Sequence, residues 1–152
     1  MTMSYALAES LAMLAEVASG ATSPWWIIGS AAVVLHGCSV PHVKDIDLLM
    51  SAADADHFLR RAGGMHKPTG TDQRFRSMVF GIWEAPPVPV EVFGGFTLAT
   101  STGWREVKLT TREAVTIAGH QLFAPSAEEL MRLLREFGRP KDLERARALA
   151  GE

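Results

Sequence analysis

Several things are scarce in this chain, and each scarcity excludes a class of protein. There is one cysteine, Cys38, in 152 residues, so no internal disulfide can form and nothing requires an oxidising compartment. A reducing cytoplasm is the expected location. Long apolar runs are missing too, so no segment is expected to span a bilayer and no membrane partner is expected. The first segment, MTMSYALAESLAMLAEVASG, has no basic start and is interrupted by Glu9 and Glu16. It therefore reads as a helix, not as a signal peptide. Charge of one sign is lacking as well: the formal net charge is -2 and the pI about 6.2, which gives no global attraction to nucleic acid or to anionic lipid. There is no internal repeat, low-complexity tract or interdomain linker.

What is present is apolar content of 47%, enough for a real core, and residues 1–152 are expected to form a single domain. In the first helix Leu7, Leu11, Leu14 and Val17 recur at helical spacing, with Gly20 placed to end it. WWII then reads as a short buried strand, and Ser30 to His36 as a helix closing at Gly37. A strand from Asp45 to Met50 leads into a helix in SAADADHFLRRAGG, capped by Ser51. The middle of the chain changes character. RFRSMVFGIW and VPVEVFGGF read as two strands joined through the turn EAPP, and strand-like pieces follow at REVKL, AVTIAG and HQLFAP. Ser126 and Glu129 make a capping-box pattern at the head of a helix striped by Leu130, Leu133, Leu134 and Phe137. After Gly138, Pro140 opens a last helix through about Leu149. The expected fold class is α+β, a mixed sheet flanked by helices, with helices at the C-terminal end.

The informative stretch is WWIIGSAAVVLHGCSVPHVKDIDLLM. Alternation along a strand puts Asp45 and Asp47 on one face with Leu49, while Ile46, Leu48 and Met50 share the other. Two like charges this close are comfortable only if solvated, protonated or bridged by a cation. In VPVEVFGGF the residues Val88, Val90 and Val92 fall on one face and Glu91 on the other. If the two strands are neighbours, Glu91 joins the aspartates, and three carboxylates of this kind suit Mg²⁺ or Mn²⁺. Gly29 permits close backbone approach, and the helix that begins near Ser30 offers unpaired amides to an anion. Each feature alone has a bland reading: a solvated strand face, an edge glutamate, a turn built of small residues. Their order narrows the field.

IIGSAAVVLHG, then DIDLL, then VEVF resembles the nucleotidyltransferase superfamily of DNA polymerase beta-like fold, in which a Gly-Gly or Gly-Ser turn precedes an Asp-x-Asp/Glu strand and a later strand carries a third carboxylate. The tail FAPSAEELMRLLREFGRPKDLERARAL is similar to the end of the minimal, abortive-infection-type members. The resemblance implies a nucleotidyltransferase-like mixed sheet. It also implies metal-dependent transfer of a nucleoside monophosphate from a nucleoside triphosphate to an acceptor hydroxyl, on a small molecule, an RNA end or a protein. It casts Asp45, Asp47 and Glu91 as metal ligands and catalytic carboxylates. Gly29 and Ser30 become triphosphate contacts, with Lys141 of GRPKD near the nucleotide. Where such relatives read Arg-x-Thr before the acidic pair, this chain has Pro41 and Val43, leaving Lys44 as the nearby candidate for nucleotide contact beside His42. Two other readings stand: a nucleotidyltransferase-fold binding partner, such as a toxin–antitoxin component docking through the first helix, and a catalytically silent relative. Arg74 and Arg76 share a strand face that could line a polyanion path. Arg139 and Lys141 also have a bland reading, as charges at a solvated helix start, and His36, Cys38 and the four tryptophans read most simply as structural, although one exposed indole could stack on a base.

Overall fold

The computed structural model describes residues 3–70 and 72–152. Its elements run α1 (Tyr5–Ala18), β1 (Trp26–Ile28), α2 (Gly29–Leu35), β2 (Ile46–Met50), α3 (Ala52–Ala62), β3 (Met65–Lys67), β4 (Phe75–Arg76), β5 (Val79–Trp83), β6 (Val90–Gly94), β7 (Thr97–Thr100), β8 (Gly103–Glu106), β9 (Glu113–Ile117), β10 (His120–Ala124), α4 (Ala127–Phe137) and α5 (Pro140–Leu149). The architecture is α+β. A five-stranded sheet has the order β1-β2-β6-β5-β3, with β2 and β6 parallel and the other pairs antiparallel. A three-stranded sheet β4-β7-β8 and the hairpin β9-β10 complete the strands.

The alternation in β2 and β6 decides how the main sheet packs. Ile46, Leu48, Val90 and Val92 are fully buried, and α3 lies against β2, β5 and β6. Gly94 makes the close approach possible, since a β-carbon there would stand 2.5 Å from the Ala55 methyl. α1 folds over α3 and the β9-β10 hairpin, burying Leu7, Leu11 and Leu14. Burying each such leucine stabilises the fold by about 1.5–3 kcal/mol. The apolar stripe of α1 is therefore core, and is not available as a docking face. Helices α4 and α5 pack on each other and against α2.

Two buried carboxylates fasten the connections. Asp54 accepts hydrogen bonds from the Thr22 and Ser23 amides at 3.0 and 2.9 Å. Burial alone would raise its pKa, but these bonds and those from the Thr22 and Ser51 hydroxyls outweigh it and hold the carboxyl below the usual carboxylate range. Glu129 accepts from the Thr110 and Thr111 amides, both at 2.9 Å. Its pKa is likewise lowered, desolvation being overcome by hydrogen bonds from the two threonines. The capping box expected at α4 is thus half formed. Ser126 Oγ accepts from the Glu129 amide at 3.2 Å, while the Glu129 carboxylate turns to the preceding loop and leaves the Ser126 amide to Thr111 Oγ1.

The strand boundaries also differ from the expectations. α1 ends at Ala18 with Ser19 as its C-cap, ahead of Gly20. RFRSMVFGIW is two strands in two sheets: Phe75–Arg76 pairs with β7 and Val79–Trp83 with β6. The break falls at Ser77–Met78, where the chain crosses between sheets and the Met78 amide reaches the Gly94 carbonyl at 2.9 Å. REVKL enters β8 only as far as Glu106, and the strands β3 and β7 were not apparent in the sequence. No helix among the described residues is long and apolar enough to cross a membrane.

Candidate active site

The strand β2 delivers its acidic residues to the face opposite the valines. Asp47 pairs in register with Ile28 on one side and with Glu91 on the other, so the carboxylates of Asp47 and Glu91 leave the sheet on one face from adjacent strands. Asp45 lies just before the strand begins, where the Ile46 amide is held by the Pro89 carbonyl at 2.9 Å, and its carboxyl is within hydrogen-bonding reach of Glu91. The chain turns from β1 into α2 at Gly29, whose φ of +68° suits glycine. A β-carbon at Gly29 would meet Asp47 Oδ2 at 2.5 Å. No side chain caps the start of α2, so its first amides remain open to an anion.

These residues are walls of one cavity of about 420 Å³, which Gly29, Ser30, Lys44, Asp45, Asp47, Glu91 and Lys141 all line. The seven residues expected to meet metal and triphosphate therefore line one cavity. Asp47 is enclosed by protein except where the cavity reaches it, and its pKa is pushed up to about 8, by desolvation first and then by the charges of Glu91 and Asp45. Arg139 and Lys141 oppose the shift. Glu91 is raised as well, by burial and then by the charge and hydrogen bond of Asp45, with Lys141 and Lys44 opposing. Burial, and then the neighbouring carboxylate charges, thus make Asp47 and Glu91 hold protons more tightly than isolated carboxylates do.

A divalent cation would offset those charges, and the donors are hard oxygens of the kind Mg²⁺ and Mn²⁺ prefer. Among the described residues, however, no group of three or more His, Cys, Asp or Glu side chains is already gathered as a metal cage. The donor set fits the ion in chemistry and parity, and the carboxylates must be drawn closer for all three to ligate.

The remaining candidates separate. Arg76 lines the cavity, and its guanidinium carbon lies over the half-exposed Trp104 ring, 4.1 Å from the centroid. Arg74 donates instead to the Phe137 carbonyl. Arg139 lines the cavity too, with Nε 2.6 Å from Asp142 Oδ2 and its guanidinium 5.1 Å from the Phe75 centroid. It is therefore a fixed wall rather than a solvated helix start. His36 caps the end of α2, its Nε2 2.7 Å from the Pro125 carbonyl. Cys38 is half-buried, with Sγ 3.6 Å from the Ala148 carbonyl. Trp25 packs edge-on to Phe123 and Trp83 edge-on to Phe58, while Trp26 donates from Nε1 to the Thr111 carbonyl at 2.8 Å.

One feature of the site was missed in the sequence. Phe75, Phe80, Phe93, Phe96 and Phe137 form a connected aromatic wall along the cavity, with centroid separations of 5.1 to 6.0 Å. The signal was the crowding of four of the seven phenylalanines between residues 75 and 96.

No protein-family model matches the chain, and no curated protein matches it. Solved structures do. A provisionally described nucleotidyltransferase from Thermotoga maritima superposes with a TM-score of 0.75 at 22% identity, over 93% of this chain and 90% of that one. The antibiotic-resistance factor ANT(2'')-Ia superposes with a TM-score of 0.65 at 13% identity, over 98% and 85% of the respective chains. The lincosamide antibiotic adenylyltransferase LnuA, bound to lincomycin, gives 0.60 at 15% identity over 93% and 94%. The chain shares its fold with these proteins.

Proposed function

We propose that residues 1–152 act as a single nucleotidyltransferase domain that moves a nucleoside monophosphate from a nucleoside triphosphate to an acceptor hydroxyl. The observation that carries this reading is the register of Asp47 with Glu91, behind a Gly29 turn pressed against the Asp47 carboxylate. The fold shared with adenylyltransferases such as LnuA supports it.

In this reading Asp45, Asp47 and Glu91 would hold Mg²⁺ or Mn²⁺, which when bound supplies charge neutralisation at the α-phosphate and at the departing oxygen. Gly29 brings the backbone close enough for the open amides at the start of α2 to take the triphosphate, together with the Ser30 hydroxyl. Lys44 and Lys141 face the same carboxylates and balance the charge of the phosphate chain. The acceptor oxygen forms a bond to the α-phosphorus as the bond to the bridging oxygen breaks. Pyrophosphate leaves with the electron pair, and the hydroxyl proton passes to Glu91. Positioning and charge carry the rate.

The reading as a docking partner loses the surface expected for it, because Leu7, Leu11 and Leu14 of α1 are buried. The test is transfer of label from α-labelled, but not γ-labelled, triphosphates to hydroxylated small molecules, RNA ends and proteins in the presence of Mg²⁺ or Mn²⁺. Asp45→Ala and Asp47→Ala should each reduce transfer at least about a hundredfold with the circular dichroism spectrum unchanged. Equal labelling by wild type and both variants would end the proposal.

A further inference from the structure

The aromatic wall lies beside the acidic cluster, and the phosphate chemistry does not use it. Phe75, Phe80 and Phe93 are only partly buried, and the surface they leave uncovered faces the cavity. Apolar surface kept concave and open in this way favours a ligand that covers it. The charges around it are one-sided. Of the five carboxylates lining the cavity, three belong to the acidic cluster. Asp142 is held by Arg139, and Asp72 accepts from the Arg74 and Phe75 amides. No carboxylate is left over for a cationic ligand.

Arg76 is the opposite case. It has no ion-pair partner among the described residues, and its guanidinium carbon lies 4.1 Å from the Trp104 centroid. A cation–π contact uses no hydrogen-bond donor, so the guanidinium N–H groups stay available to a planar anion.

We propose that the Phe75–Phe80–Phe93 wall and Arg76 form the acceptor subsite, and that the acceptor is a small hydroxylated acid bearing a flat apolar ring. The ring covers the phenylalanines, the acidic group meets the Arg76 N–H groups, and the hydroxyl points toward Asp45 and Glu91. This rests on the nucleotidyltransferase reading for the word acceptor, but the ligand class can be tested without any transfer.

The probe is 6-hydroxy-2-naphthoate, followed by its own fluorescence, in the presence of Mg²⁺ and a non-hydrolysable adenosine triphosphate analogue. The carboxylate should favour it at least about tenfold over 2-naphthol, as a charge-assisted pair would. Arg76→Gln should erase that preference. Phe80→Ser should weaken the probe about tenfold or more, and Phe93→Leu, which keeps most of the volume and guards against a folding defect, should weaken it less. Triphosphate affinity should stay within about twofold in all three variants. Competition between the triphosphate and the probe, or an equal loss of triphosphate affinity in Phe80→Ser, would make the wall a base pocket and overturn the proposal. Tighter binding of a polycationic aminoglycoside, or no binding of the naphthoate, would also overturn it. Probe binding by a protein whose α-label transfer is equal in wild type, Asp45→Ala and Asp47→Ala would end the parent reading while keeping the ligand class.

Discussion

Gly29 and Asp47 touch across the turn from β1 into α2: a β-carbon on Gly29 would stand 2.5 Å from Asp47 Oδ2, at a backbone φ of +68°. The turn and the acidic strand are therefore one device, since any side chain at Gly29 must move the carboxylate. Gly37 is the natural control, with a φ of +85° and nothing within 4 Å of an added β-carbon. Gly37→Ala should cost only the backbone strain, about 1 kcal/mol. Gly29→Ala should cost more than this in urea unfolding and should also displace Asp47, so that metal no longer stabilises the variant. Equal costs with metal response retained in both would separate the turn from the site.

Asp47 has a pH signature that follows from its burial and the charges beside it. Its folded-state pKa is pushed up to about 8, so between its unfolded value and that point the native state binds more protons than the unfolded chain. Its contribution is full below about pH 4 and is lost as pH rises through about 8. Asp47→Asn should flatten the metal-free stability profile between about pH 4 and about pH 8. It should raise the melting temperature at pH 8 by roughly 2–4 °C for each kcal/mol of repulsion removed. Thermal melts across pH decide this, and an unchanged slope would mean that burial and the neighbouring charges do not raise Asp47 in the fold.

Asp54 and Glu129 have the opposite sign. Their folded values lie below the ordinary carboxylate range, so the native state binds fewer protons and their stabilisation is full above about pH 4. It is lost as pH falls through the folded values. Glu129→Gln should cost about 1–3 kcal/mol at neutral pH and soften acid unfolding below about pH 4, read by circular dichroism. No change in the acid limb would show that the Thr110–Thr111 clamp is not a source of acid sensitivity.

The α1 stripe gives a stability prediction in place of a docking one. Leu11 is fully buried, so Leu11→Ala should destabilise the fold by about 2–5 kcal/mol in chemical denaturation. Leu11→Asp should leave little folded protein, whereas Tyr5→Asp, at a site 95% exposed, should be silent. A folded, stable Leu11→Asp variant would reopen the docking reading.

The acidic half of the site was legible in the sequence because it follows from parity. A period of two puts Asp47 and Glu91 on the faces opposite Ile46, Leu48, Val90 and Val92 whichever strands flank them, and only the neighbour relation of β2 and β6 had to come from the order of motifs. Helices with a cap and a stripe, such as α3 and α4, were legible for the same local reason. The aromatic wall was not, because Phe75, Phe93 and Phe137 come from a two-residue strand, the main sheet and a helix, and no local period links them. RFRSMVFGIW kept its β-propensity through Ser77–Met78, so the switch between sheets left no mark. The Glu129 carboxylate was assigned to its own helix because the capping box is a local rule, whereas the Thr110–Thr111 amides that captured it are tertiary partners.

The most direct test of the account is a calorimetric titration of a non-hydrolysable nucleoside triphosphate into the wild type and Asp47→Asn, with and without Mg²⁺. If Asp45, Asp47 and Glu91 receive a metal-bound triphosphate beside Gly29, the wild type should bind it at least about a hundredfold more tightly with Mg²⁺ than without, and Asp47→Asn should lose most of that gain. Equal affinity in all four titrations, or no binding in any of them, would contradict it.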